Sequence, residues 1–155
     1  MKDNYTKEEI RGQAHTILKN AKFLHLALAV DNEPYLVTVN YGYDNNYLYF
    51  HSSQKGKKID MIEKNPNICY EIYYGGDIYS NEHACNWGTK YRSLIGRGEV
   101  ELLKTDAEKL VGLKAIMLKY SNTSDHDFNE NVMHHTNIYR IKIDEISTKQ
   151  NKMYW

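Results

Sequence analysis

Apolar residues recur along this chain with two different periods, and the switches between them outline its elements. Between residues 7 and 20, Ile10, Ala14, Ile17 and Leu18 share one face of a 3.6-residue repeat. Thr6 and Glu9 stand before them at capping-box spacing, which predicts a helix over 7–20. From Phe23 the period drops to two: Leu24, Leu26, Leu28 and Val30 alternate through residues 23–30 as one face of a strand. Asp31-Asn32-Glu33-Pro34 predicts a turn into a second strand over 35–43, and Asp44-Asn45-Asn46 a turn into a third over 47–51. Three such strands in sequence predict an antiparallel meander. Ile59 and Ile62 then fall at helical spacing, and Asn65-Pro66 stops that helix.

Residues 67–74 form the next predicted strand, followed by a polar connection over 75–90 and a strand over 91–102. A connection of that length is functional or mobile in most proteins. Thr105 and Glu108 cap a predicted helix to about Lys119, with Leu110, Leu113 and Met117 on one side. A polar loop over 121–131 leads to a last strand over 136–146 that turns Tyr139, Ile141 and Ile143 inward. Strands outnumber helices and mostly follow one another. The pattern predicts a mainly β protein with flanking helices, a barrel of about six antiparallel strands.

Length and charge narrow the picture. At 155 residues the chain is sized for one domain, 1–155. Twenty Lys and Arg balance twenty Asp and Glu, which removes the electrostatic case for nucleic acid or an acidic membrane. The apolar run over 23–30 is interrupted by His25 and too short to span a bilayer, and the amino terminus lacks an apolar signal core. A cytoplasmic protein is expected. Two cysteines make neither a disulfide framework nor a zinc site; Cys69 is expected to fill core, and Cys85 has no assigned role. His126, His134 and His135 lack the carboxylate or cysteine company of a compact metal site, so no metal is expected. Fourteen tyrosines suit both strand propensity and subunit interfaces or pockets for flat ligands.

The segment over 47–72 carries the most chemistry. A strand of aromatic character, Tyr47 to Phe50, runs into His51, Ser52, Ser53, Lys55, Gly56, Lys57 and Lys58 at the start of a helix. A helix N-terminus offers unpaired N–H groups and positive dipole, so hydroxyls and ammonium groups gathered there can hold a phosphate dianion. A solvated basic loop capping a short helix is the plainer alternative. No GxxxxGK[ST] or GxGxxG pattern is present.

Three stretches together carry a resemblance: LALAVDNEPYLVTVNYGYDNNYLYFHSSQKGKKIDMIEKNPNICYEI, CNWGTKYRSLIGRGEVELL and the tail strand IYRIKIDEISTK. They resemble the FMN-binding split barrel of the pyridoxamine 5'-phosphate oxidase-like superfamily, and within it the nitroimidazole-resistance family. The resemblance implies a split β-barrel homodimer with FMN between identical subunits. It implies that Ser52, Ser53 and Lys58, helped by Lys57, hold the phosphate, and that Val37, Thr38, Val39 and Asn40 line the isoalloxazine. Tyr91, Arg92 and Ser93 would close the site from the second subunit. His51 would stand near the flavin, hydrogen-bonding its phosphate or ribityl chain or donating a proton to a reduced substrate.

One departure limits the resemblance. Pyridoxamine phosphate oxidases carry a carboxy-terminal arginine and histidine motif for the substrate phosphate, whereas this sequence ends TKQNKMYW, so that activity is not expected. The expected function is an FMN-dependent reductase that takes electrons from a nicotinamide and passes them to a small flat acceptor, with nitroaromatics as the candidate class. Trp87 would stack over the acceptor or anchor the dimer. The rival is a non-catalytic flavin or haem binding protein.

Overall fold

The structure is a computed structural model that describes residues 6–153, so the first five residues of the polar amino terminus and Tyr154 and Trp155 of the tail lie outside the described residues. Among the described residues eight strands form one sheet: β1 (Leu24–Val30), β2 (Glu33–Val39), β3 (Gly42–Tyr43), β4 (Tyr47–Ser53), β5 (Asn67–Tyr79), β6 (Gly88–Leu102), β7 (Thr136–Lys142) and β8 (Glu145–Asn151). Four helices accompany them: α1 (Lys7–Asn20), α2 (Lys57–Lys64), α3 (Asp106–Ser121) and α4 (Glu130–His134). None is long and apolar enough to cross a membrane.

Both capping boxes form. The Thr6 and Thr105 side chains accept the Glu9 and Glu108 N–H groups, and each glutamate accepts its cap's N–H in return. Each cap contributes about 1 kcal/mol. Helix α1 buries Gln13, Ala14, Ile17 and Leu18, with Gln13 accepting the Thr148 hydroxyl of β8. Helix α3 differs from its predicted face: it buries Gly112 and Ile116, whereas Leu110, Leu113 and Met117 are only half-buried. The reason is close approach. A Cβ on Gly112 would collide with Ile138, so this helix sits against β4 and β7 on its smallest residue.

The sheet runs β2-β1-β5-β6-β7-β4-β3, with β8 pairing β6 beside that path. Only Asn40 and Tyr41 separate β2 from β3, so the two ends of the path are held within about 11 Å and the sheet curls into a barrel without pairing those two strands. This replaces the predicted meander: β1 and β2 are a hairpin, but β4 pairs with β3 and β7 and not with β2. The hairpin turn is tighter than expected, because Asp31 and Asn32 both take positive φ (51° and 64°) and Glu33 and Pro34 already belong to β2. The predicted strand over 136–146 is two strands, broken at Ile143 and Asp144, and the second of them is β8.

Inside the barrel lie Leu24, Leu26, Leu28, Leu48, Phe50, Ile72, Leu94 and Ile141, all almost fully buried. Each such side chain contributes about 1.5–3 kcal/mol relative to exposure. The Tyr70 ring lies over Gly96 on the neighbouring strand, where any Cβ would strike it. Cys69 is a correction: its odd position in β5 turns it outward, half-exposed, opposite Ala27 and Arg97, so it does not fill core.

The predicted connection over 75–90 is mostly strand. Beta-strands β5 and β6 pair as far as Tyr79 and Gly88, with an irregularity between Gly75 and Asp77, and only residues 80–87 turn. Polarity hid this arm. Its side chains meet water on both faces, so no apolar alternation marks it.

Candidate functional site

Residues 51–58 turn from β4 into α2 around Gly56, whose φ of 122° suits only glycine and which supplies no side chain to cap the first turn of the helix. The Ile59 and Asp60 N–H groups donate to the Gly56 carbonyl at 2.9 and 3.0 Å, which leaves those of Lys57 and Lys58 open to an outside acceptor. Lys58 is half-buried, its Nζ 6.0 Å from the Phe50 ring centroid, and burial holds its pKa below the ordinary lysine value. Lys57 Nζ lies 4.8 Å from the Tyr35 ring centroid. Among the described residues neither ammonium has a carboxylate partner.

Strand alternation divides the predicted phosphate ligands between two faces. Ser52 is buried on the inner face with Leu48 and Phe50, the side that Lys58 approaches. His51 and Ser53 lie on the outer face. The Ser53 hydroxyl donates to the Lys55 carbonyl at 2.8 Å, closing the loop. Burial, and then the charge of Lys58, hold the His51 pKa below its ordinary value. The ring edge remains exposed, so the neutral imidazole is favoured only modestly. A further brace comes from outside the motif: Gln54 Nε2 donates to the His134 carbonyl at 2.8 Å, tying the loop to α4.

The Val37–Asn40 segment meets this loop through Tyr35, on the same strand as Val37 and Val39 and in contact with Lys57. Val37 and Val39 face inward; Thr38 and Asn40 are exposed. Among the described residues strand β2 pairs only with β1, so its other edge offers backbone N–H and C=O groups in fixed positions. Opposite Thr38 stands His25, whose Nδ1 is buried without a hydrogen-bond partner. His25 lies one strand in from that edge, between β2 and β5, so its orphaned nitrogen does not itself meet a ligand laid along β2. Tyr35 was not singled out as a site residue by sequence, although the alternation Tyr35, Val37, Val39 pointed to it.

Tyr91, Arg92 and Ser93 lie elsewhere in the chain. They sit at the far end of β6, about 26 Å along the strand from Val100, where β6 meets β7. Alternation also splits them: Tyr91 and buried Ser93 share the outer face, where Tyr91 stacks on Tyr73 at 5.6 Å, while Arg92 Nε donates to the Met153 carbonyl at 3.4 Å. Gln150 Oε1, opposite Arg92, is also buried without a partner. Within one chain these residues do not meet the loop at 51–58. The main clefts of the single chain, about 770, 620, 500 and 350 Å³, are lined by other residues. On β2 and the loop at 51–58 a ligand would lie on an open surface.

Trp87 is 55% exposed, its indole N–H held by the Asn81 carbonyl at 2.7 Å at the tip of the β5–β6 arm, and Cys85 is exposed beside it. His126 shares a 2.8 Å hydrogen bond with Ser121, and His134 and His135 end α4.

An antiparallel barrel with an uncapped helix start beside an unpaired strand edge is the architecture of a split-barrel protein. Residues 11–150 match the family described as pyridoxamine 5'-phosphate oxidase, and the chain belongs to that family. No protein of curated function matches it in sequence. Among solved structures, a proposed 5-nitroimidazole antibiotic resistance protein from Bacteroides thetaiotaomicron is 25% identical, with a TM-score of 0.78 over 92% of this chain and 82% of that one. A flavocytochrome from Azotobacter vinelandii (18% identity, TM-score 0.78, 96% and 69% covered) shares the fold. So does an FAD- and haem-binding protein from Mycobacterium smegmatis (16% identity, TM-score 0.80, 96% and 73% covered).

Proposed function

We propose that this protein is a flavin-dependent reductase that holds FMN and passes electrons from a reduced nicotinamide to a small flat acceptor of the nitroaromatic class. The observation that carries the reading is the pairing of Lys57 and Lys58, without carboxylate partners, with the uncapped first turn of α2 beside the open edge of β2. The similarity to the Bacteroides protein, at 25% identity, supports the acceptor class.

When bound, FMN supplies the two-electron redox chemistry. The chain's own residues bind and orient. Lys57, Lys58 and the helix amides would receive the phosphate, with Ser52 and Ser53 beside them, while backbone groups of Val37 to Asn40 would meet the polar edge of the ring. His51, whose pKa burial and the charge of Lys58 hold below the ordinary value, could hydrogen-bond the ribityl end or, from its protonated form, give a proton to the acceptor.

The reading includes a homodimer. Phe23, Leu36, Tyr73 and Ile95 stand exposed on the outer face of the sheet formed by β2, β1, β5 and β6, an apolar surface that suits a second copy. Only a partner could bring Tyr91, Arg92 and Ser93 to the loop at 51–58. A monomer that keeps flavin at micromolar concentration would contradict this part.

The test is spectroscopic. Under anaerobic conditions the flavin absorbance of the purified protein should bleach with NADH or NADPH and return on adding a nitroaromatic. Flavin that no nicotinamide bleaches would favour the ligand-binding rival, and a Soret band would replace flavin with haem.

A further inference from the structure

Lys57 and Lys58 begin the same helix but stand in different surroundings. Lys58 is half-buried beside Phe50, so packing already restricts its path. Lys57 is exposed, and a lysine stem in water samples many rotamers, each of which has to be given up when the ammonium meets a phosphate. No carboxylate among the described residues holds it. Its Nζ stands instead 4.8 Å from the centroid of the Tyr35 ring, within the range at which a cation is drawn to an aromatic face.

Tyr35 is itself well fixed. It lies on β2 opposite Leu28, and its half-buried ring packs against the barrel core. Val37 and Val39 follow on the same face of the strand, and Val39 stands about 13 Å further along it. One strand thus carries both the ring that holds the Lys57 ammonium and the segment at 37–40 that meets the flavin in the reading above. A displacement of the ammonium would change the spacing between those two ends.

We propose that Tyr35 is a positioning residue of the flavin site: its aromatic face holds the Lys57 ammonium where the phosphate arrives and fixes the spacing from the phosphate to the edge of β2. The inference rests on the flavin reading and adds to it a residue that acts through Lys57 and not by touching the ligand. Its contribution therefore exists only for a flavin that carries a phosphate, and only while Lys57 is present.

The test is a fluorescence titration of the flavin-free full-length protein with FMN and with riboflavin, which lacks the phosphate. Tyr35→Leu and Tyr35→Met keep apolar volume without an aromatic face, and each should bind FMN about two- to fivefold more weakly than the wild type, with riboflavin affinity unchanged. Tyr35→Phe keeps the face and should bind FMN as the wild type does. In a Lys57→Met background Tyr35→Leu should have no further effect, the non-additivity expected of two groups in contact. An equal loss for FMN and riboflavin would make Tyr35 a ring contact or a packing residue, and Tyr35→Phe as weak as Tyr35→Leu would assign the effect to the hydroxyl. A full loss in the Lys57→Met background would separate the two residues. Each of these results overturns the inference and leaves the flavin reading standing, whereas a wild type that binds no FMN would remove both.

Discussion

Two half-buried lysines of this protein, Lys119 and Lys58, stand in opposite surroundings. Lys119 on α3 donates to the Leu18 and Ala21 carbonyls at the end of α1, at 2.8 and 2.6 Å, and lies 4.5 Å from the Tyr41 ring centroid. Tyr41 donates to the same Leu18 carbonyl at 2.8 Å. Lys58 on α2 has an aromatic neighbour too, but no carbonyl or carboxylate within reach among the described residues. Burial lowers the pKa of both, that of Lys119 to about 8. A shifted pKa therefore does not separate a structural lysine from a binding one; the list of partners does. Lys119 is complete without a ligand, and Lys58 is not.

The largest expected effect of breaking this contrast is on stability. Lys119→Met takes the charged donor from the Leu18 and Ala21 carbonyls, leaving them only the Tyr41 hydroxyl to share, and should lower the unfolding free energy by about 1–3 kcal/mol, read as an earlier midpoint in urea. Lys58→Met should leave the midpoint of the flavin-free protein unchanged or slightly later, since it removes a burial cost that nothing in the chain offsets. Equal losses in the two variants would erase the distinction.

A second test moves to His51, which shares the outer face of β4 with Ser53. We expect His51→Ala to reduce the flavin content of the purified protein, measured as the ratio of visible to ultraviolet absorbance. Preserved flavin with turnover lowered by about 100-fold would instead make His51 a proton donor. Normal flavin and normal turnover would remove it from the site.

The smallest effect is a pH dependence. The folded state holds the His51 pKa below 6.5, so folding favours the neutral ring. The contribution to stability is present above pH 6.5 and is lost as pH falls through the lower folded value, because the unfolded chain takes up the proton first. Urea midpoints measured downward from pH 7 should decline less steeply in His51→Asn than in the wild type.

Much of this was legible in sequence, and the reasons differ by region. Alternating Leu24, Leu26 and Leu28, the two capping boxes and the Asn65-Pro66 stop each act within a few residues, so local pattern was enough to place β1, α1, α2 and the start of α3. The pairing order was not legible locally. The chain crosses from one end of the sheet to the other within Asn40 and Tyr41, and no periodicity signals that step. The β5–β6 arm was missed because both of its faces are wet, and the buried face of α3 because Gly112 carries no apolar signal. At the candidate site, the run from His51 to Lys58 was readable as a helix start with hydroxyls and lysines. The contact of Lys57 with Tyr35 and the brace from Gln54 to His134 join residues 22 and 80 positions apart, beyond any motif.

In the proposed flavin site the start of α2 holds the phosphate through Lys58. The most direct test is titration of the flavin-free protein with FMN, wild type against Lys58→Ala, followed by quenching of flavin fluorescence. The wild type should saturate at one FMN per subunit, and Lys58→Ala should bind about 10- to 100-fold more weakly, as the loss of a charge-assisted phosphate contact requires. Saturation of both proteins at the same affinity, or no quenching in the wild type, would contradict it.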